Sequence, residues 1–89
     1  MEIHSSAEVR SLVIDLIANS LREAGHDPAR VGDEINLLES GVLDSLGLLS
    51  LISDVEDRLG TELELSDAEP EDLAVLGRFC RQVERQLGG

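Results

Sequence analysis

The residues in this chain best placed to do chemistry at a single atom are an aspartate and the serine after it. Asp44-Ser45-Leu46 stands where a segment of apolar and turn-forming residues gives way to a helical pattern. Asp is a good N-cap, because its carboxylate can accept from the N–H groups of the first turn; Ser45 then falls inside that turn. The first N–H groups of a helix have no intrahelical acceptor and lie at the positive end of its dipole, so they favour an anion. A hydroxyl held there is exposed, and a phosphodiester on it would lie where the helix end stabilises it. Asp44 offers a carboxylate that a modifying enzyme, or that enzyme's metal ion, could engage. Leu46 is expected to point back to the core and hold the serine outward. The tripeptide alone reads just as well as an ordinary helix cap, so the surrounding segment has to decide.

Other polar residues offer less. His4 and His26 have no paired ligand spacing, and no metal site is expected at either. Asp54, Glu56 and Asp57 lack the glycine that a calcium loop needs at the following offset, so they form either a solvated face or a docking face. Cys80 is the single cysteine, which excludes an internal disulfide and a Cys-based metal site. It falls in an apolar helical pattern and reads as a small core residue. Arg78, Arg81 and Arg85 form a basic strip of solvated surface near the C-terminus. With no nucleophile–base pair and no metal cluster, and with 89 residues to enclose a substrate, an enzyme is not expected.

The elements that must position Ser45 follow from periodicity. Ser5-Ser6-Ala7-Glu8 has the form of a capping box. Val9, Leu12, Val13, Leu16, Ile17, Leu21 and Ala24 then recur at three- and four-residue spacing, as one face of a helix over about 6–24. Gly25 and Pro28 end it. A loop over 25–44 follows, long enough to be functional or disordered; its Val31, Ile35, Leu37, Leu38, Val42 and Leu43 argue for order. Helix two is expected over about 45–59, its stripe made of Leu46, Leu49, Ile52, Val55 and Leu59, widened by Leu48 and Leu51, with Gly60 as its stop. On this reading Leu49→Ala or Ile52→Ala costs on the order of 2–4 kcal/mol. Thr61 to Leu65 alternates without a partner strand and reads as an extended connector. Pro70 starts a short helix over about 70–73, and Leu76, Phe79, Cys80, Val83 and Leu87 give a last one over about 75–87. The fold class is all-α: one domain over residues 1–89, a four-helix bundle of three main helices plus a short third.

Charge narrows the partners. The net charge is −12 at pH 7, and from Asp33 to Asp72 thirteen acids face one base, Arg58. Such a surface repels nucleic acid and anionic membrane and attracts partners with basic patches. Phe79 is the only aromatic residue, which leaves nothing for bases to stack on. With no apolar signal core and no membrane-length apolar run, a soluble cytoplasmic monomer is expected.

The run Leu37-Leu38-Glu39-Ser40-Gly41-Val42-Leu43-Asp44-Ser45-Leu46 resembles the attachment segment of the acyl carrier protein family, and the similarity continues through acidic helix two, Gly60 and Pro70-Glu71-Asp72-Leu73, over roughly residues 8–87. The resemblance implies a four-helix bundle that catalyses nothing. It implies 4′-phosphopantetheine, attached to Ser45 by a phosphopantetheinyl transferase, with Asp44 and Leu46 beside it and an acyl or aminoacyl group held on its thiol as a thioester. It implies docking on Asp54, Glu56 and Asp57, and partners that include an adenylating ligase or acyltransferase and a downstream acceptor, condensing or tailoring enzyme. The spelling Gly41-Val42-Leu43-Asp44-Ser45 is more similar to free-standing carriers loaded by adenylating ligases, such as D-alanyl carriers and discrete carriers of secondary metabolism. Fatty-acid carriers have the glycine three residues before the serine, a docking glutamate where Ser50 stands and a larger apolar residue where Ser53 stands. Ser53 thus points to a short cargo held outside the core. Val75 stands where many relatives have a threonine that caps the last helix. A carrier of a secondary-metabolite pathway is expected; a D-alanyl or fatty-acid carrier is the alternative, and an acidic interaction module with no prosthetic group a further one.

Overall fold

A computed structural model describes residues 6–88. The proposed capping box at Ser5 and the histidine at position 4 lie outside the described residues. Four helices follow in order: α1 Ser6–Glu23, α2 Ser45–Leu59, α3 Pro70–Ala74 and α4 Leu76–Gly88. Among the described residues the backbone forms no strand, only an isolated bridge between Asn36 and Val75. The protein is an all-α bundle. α1 packs against α2 and α4, and α3 packs against α4.

The core is aliphatic apart from Phe79 and Cys80. On α1, Val9, Val13, Ile17 and Leu21 recur every four residues and are buried in one stripe. α4 supplies Leu76, Phe79, Cys80 and Val83. α1 ends at Glu23, one residue short of the periodic pattern. Gly25 takes φ +87°, and the His26 N–H reaches back to the Leu21 carbonyl at 2.8 Å, closing the helix end with a left-handed residue.

The α2 face differs from the sequence expectation. Its buried residues are Leu48, Leu51 and Val55, with Ile52 and Leu59 half-buried against them. Leu46 and Leu49 are 74% and 60% exposed. Leu46 therefore does not point into the core, and Leu49 is not part of the packing stripe. Leucines at 46, 48, 49 and 51 cover more than half the helix circumference, so period alone allows two faces. Packing into the core shared with α1 and α4 selects the one carrying Leu48, Leu51 and Val55.

The loop before α2 is ordered by backbone pairing with the α3–α4 junction. Leu37 N–H donates to the Ala74 carbonyl (2.8 Å), Leu76 N–H to Ile35 (3.0 Å) and Gly77 N–H to Asp33 (2.9 Å). Val75 is extended (φ −84°, ψ 123°) to make this pairing, which is why α4 begins at Leu76 and not at 75. Gly77 permits the approach: a Cβ there would lie 2.7 Å from the Asp33 Cβ. Arg10 on α1 ties down the same stretch, with Nε 2.7 Å from Asp33 Oδ1 and an NH2 group donating to the Val31 carbonyl at 2.6 Å.

Candidate functional site

Ser45 owes its position to the turn over Asn36–Gly41. Leu37 is fully buried and Val42 nearly so, which anchors the turn at both ends. Asn36 Oδ1 accepts from the N–H groups of Leu38 (3.0 Å) and Glu39 (2.9 Å). The Leu43 N–H closes back on the Leu37 carbonyl at 2.9 Å, and Gly41 supplies the left-handed residue, φ +82°, that the reversal needs. The chain leaves this turn aimed at α2.

Asp44 is the N-cap of α2. Its backbone is extended, and Oδ1 accepts from the Gly47 N–H at 2.6 Å while its carbonyl accepts from Leu48. Glycine at 47 keeps room for that bond, since a Cβ there would lie 3.1 Å from Asp44 Oδ1. The N–H groups of Ser45 and Leu46 have no acceptor among the described residues. Ser45 is the first residue of the helix and is exposed, and its hydroxyl takes no part in the capping. Beside it opens a cleft of about 640 Å³, lined by Ser20 of α1, by Leu38, Val42 and Leu43 of the turn, and by Asp44 and Ser45.

These features suit a covalently attached phosphate: an unencumbered hydroxyl, two backbone N–H groups without acceptors next to it, and open space for an arm extending beyond the phosphate. The one thiol of the chain does not compete. Cys80 is buried, and burial, with Asp33 adding to it, pushes its thiol up to about 11, so it stays protonated near neutrality.

The chain matches the family described as the phosphopantetheine attachment site over residues 11–83. It belongs to that family. The carrier resembles the acyl carrier protein of Thermotoga maritima, 31% identical over 84 residues that cover 94% of this chain and 98% of the relative. It also resembles the D-alanyl carrier protein of Lacticaseibacillus casei, 25% identical over 77 residues (86% and 91% of the two chains), and that of Bacillus cereus, 26% identical over 78 residues (88% and 95%). No solved structure matches it. The protein is a carrier with covalently attached 4′-phosphopantetheine, not an enzyme, and works with a phosphopantetheinyl transferase and with partner enzymes. The prosthetic group supplies a terminal thiol that holds cargo as a thioester.

The acids assigned to docking separate in three dimensions. Asp54 and Asp57 are exposed on α2, on the side that also presents Leu46, Leu49, Ser50 and Ser53. Glu56 turns away from them, and its Oε2 accepts from the Leu63 N–H at 2.8 Å. Among the basic strip, Arg78 lies 3.7 Å from Asp72. Sequence reasoning missed Gly47, Gly77 and the clamp by Arg10. A glycine near a helix start signals a close approach only once the approaching segment is known. Among the described residues no cluster of His, Cys, Asp and Glu could hold a metal, and no helix is long and apolar enough to cross a membrane.

Proposed function

We propose that Ser45 bears the phosphopantetheine and that the outward face of α2 receives the partner enzymes. The observation that carries this is the exposed Ser45 hydroxyl at the first position of α2, within the matched segment and free of the cap that Asp44 makes. In the attachment, Ser45 Oγ forms a new O–P bond as the pyrophosphate bond of coenzyme A breaks. The adenosine bisphosphate part leaves, and the hydroxyl proton passes to a base on the transferase. Asp44 sets the helix start and keeps its carboxylate at the surface for the transferase or its metal ion.

Docking on this reading combines an apolar patch, Leu46 and Leu49, with the charges of Asp54 and Asp57. Exposed carboxylates steer a basic partner and give fast, weak association that salt screens. Glu56 is left out of this face because its carboxylate is committed to the connector. The loading partner is an adenylating ligase or acyltransferase, and a condensing or tailoring enzyme takes the acyl or aminoacyl group. The spelling Gly41-Val42-Leu43-Asp44-Ser45 supports a discrete carrier of a secondary-metabolite pathway, working in the cytoplasm with the cell's coenzyme A. The D-alanyl relatives make D-alanine the first cargo to compare.

The test is intact mass after incubation with coenzyme A and a broad-specificity phosphopantetheinyl transferase. The wild type is expected to gain one phosphopantetheinyl group and Ser45→Ala none, with both proteins equally helical. A gain on Ser45→Ala, or none on a folded wild type, overturns the assignment.

A further inference from the structure

The connector between α2 and α3, residues 60–69, is fastened by side chains of the helices on either side of it. Glu56, near the end of α2, accepts the Leu63 N–H at 2.8 Å. Gln86, near the end of α4, makes two bonds to Glu64: its Nε2 donates to the carbonyl at 2.9 Å, and its Oε1 accepts the N–H at 3.2 Å. An extended segment without a partner strand would otherwise leave these groups to water. Held from both sides, Leu63 is 8% exposed and joins the core cluster with Val55 and Phe79.

The position matters for cargo. Through these bonds the connector bridges the end of α2 and the end of α4, with Leu63 in the core between them. Glu56 lies eleven residues beyond Ser45, about 16 Å along the helix axis at 1.5 Å per residue. A flexible arm anchored at Ser45 and folded back along α2 brings its end towards Leu63. An apolar chain arriving there gains shelter only by displacing Leu63, against its burial and the three bonds that hold the connector. At helical spacing the residues between Ser45 and Glu56 on that side of α2 are Leu49, 60% exposed, and Ile52, half-buried against the core cluster.

Resting on the assignment of the arm to Ser45, we infer that Leu63, latched by Glu56 and Gln86, closes the bundle interior to the cargo. The carried group is then short or polar, an aminoacyl group among them, and rides outside the core. A long alkyl chain would stay in water, at a cost that grows with every methylene.

The experiment loads ¹⁵N-labelled wild-type protein with the transferase and either acetyl-coenzyme A or octanoyl-coenzyme A, confirms each product by intact mass, and compares amide spectra. The two forms are expected to differ only near Ser45, with the amides of Val55, Leu63 and Phe79 superimposed. Displaced resonances at those three in the octanoyl form would overturn the inference while leaving the arm on Ser45. Failure of the mass gain would overturn the assignment of Ser45, and the inference with it. In a Glu56→Ala/Gln86→Ala variant shown to be helical, the octanoyl chain is expected to move the same three amides. If they stay fixed, the latch assigned to Glu56 and Gln86 is refuted.

Discussion

Replacing Leu51 and Leu49 by alanine, one at a time, separates the two faces that the α2 sequence permits. Leu→Ala removes three carbons, worth about 2.4 kcal/mol of transfer free energy at roughly 0.8 kcal/mol each when fully buried. Leu51 is 3% exposed and packed in the core, so the cavity left behind adds to that. Its loss should fall at about 2–5 kcal/mol. Leu49 is 60% exposed, so at most about 1 kcal/mol of transfer is at stake and no cavity forms. For a domain of this size 1 kcal/mol moves Tm by roughly 4–8 °C, so Leu51→Ala should melt at least about 8 °C below wild type. Urea unfolding followed by far-UV circular dichroism gives both midpoints and slopes. Equal losses, or a larger loss at Leu49, would refute the packing described for α2. The function adds a second readout. Leu49→Ala, though folded, should load more slowly from the transferase, because Leu49 belongs to the proposed docking face.

Three other perturbations probe how the site is held. Asp44→Ala removes the bond to the Gly47 N–H and should cost about 0.5–2 kcal/mol in urea unfolding, whereas Asp44→Asn keeps an acceptor and should cost less; equal losses would deny Asp44 its capping role. Gly77→Ala places a Cβ 2.7 Å from the Asp33 Cβ and 3.2 Å from the Asp33 carbonyl oxygen, and overpacking of this kind costs about 1–3 kcal/mol. Its urea midpoint should fall despite alanine's better helix propensity, and a rise would mean the 33–37 segment is not pinned against α4. The Cys80 thiol is raised from 9.0 to about 11 in the folded protein, so the unfolded chain gives up this proton first. The stability it contributes is full below about pH 9 and is lost as pH rises towards 11. With neither lysine nor tyrosine in the chain, little else titrates in that window. The urea midpoint should decline there in the wild type and not in Cys80→Ala; a flat wild-type profile would contradict the burial of the thiol.

What the sequence alone determined is what local chemistry determines. An aspartate that can cap, a glycine that can take positive φ and an apolar spacing of three and four residues act within a single turn. The ends of α2 at Asp44 and Gly60, the stripe of α1 and the place of Ser45 at a helix start could therefore be read without knowing the fold. Which side of α2 faces inward could not be read, because leucines at 46, 48, 49 and 51 satisfy the helical period on either side, and only packing into the shared core chooses between them. The same holds for Glu56, one of three acids on helix two in the sequence, whose carboxylate in space accepts the Leu63 N–H of the connector. It holds for Gly77 and Val75, whose conformations answer to a loop some forty residues earlier in the chain. The tertiary structure decided these points because each depends on a partner distant in sequence, and such a pairing leaves no local periodicity or cap signal to read.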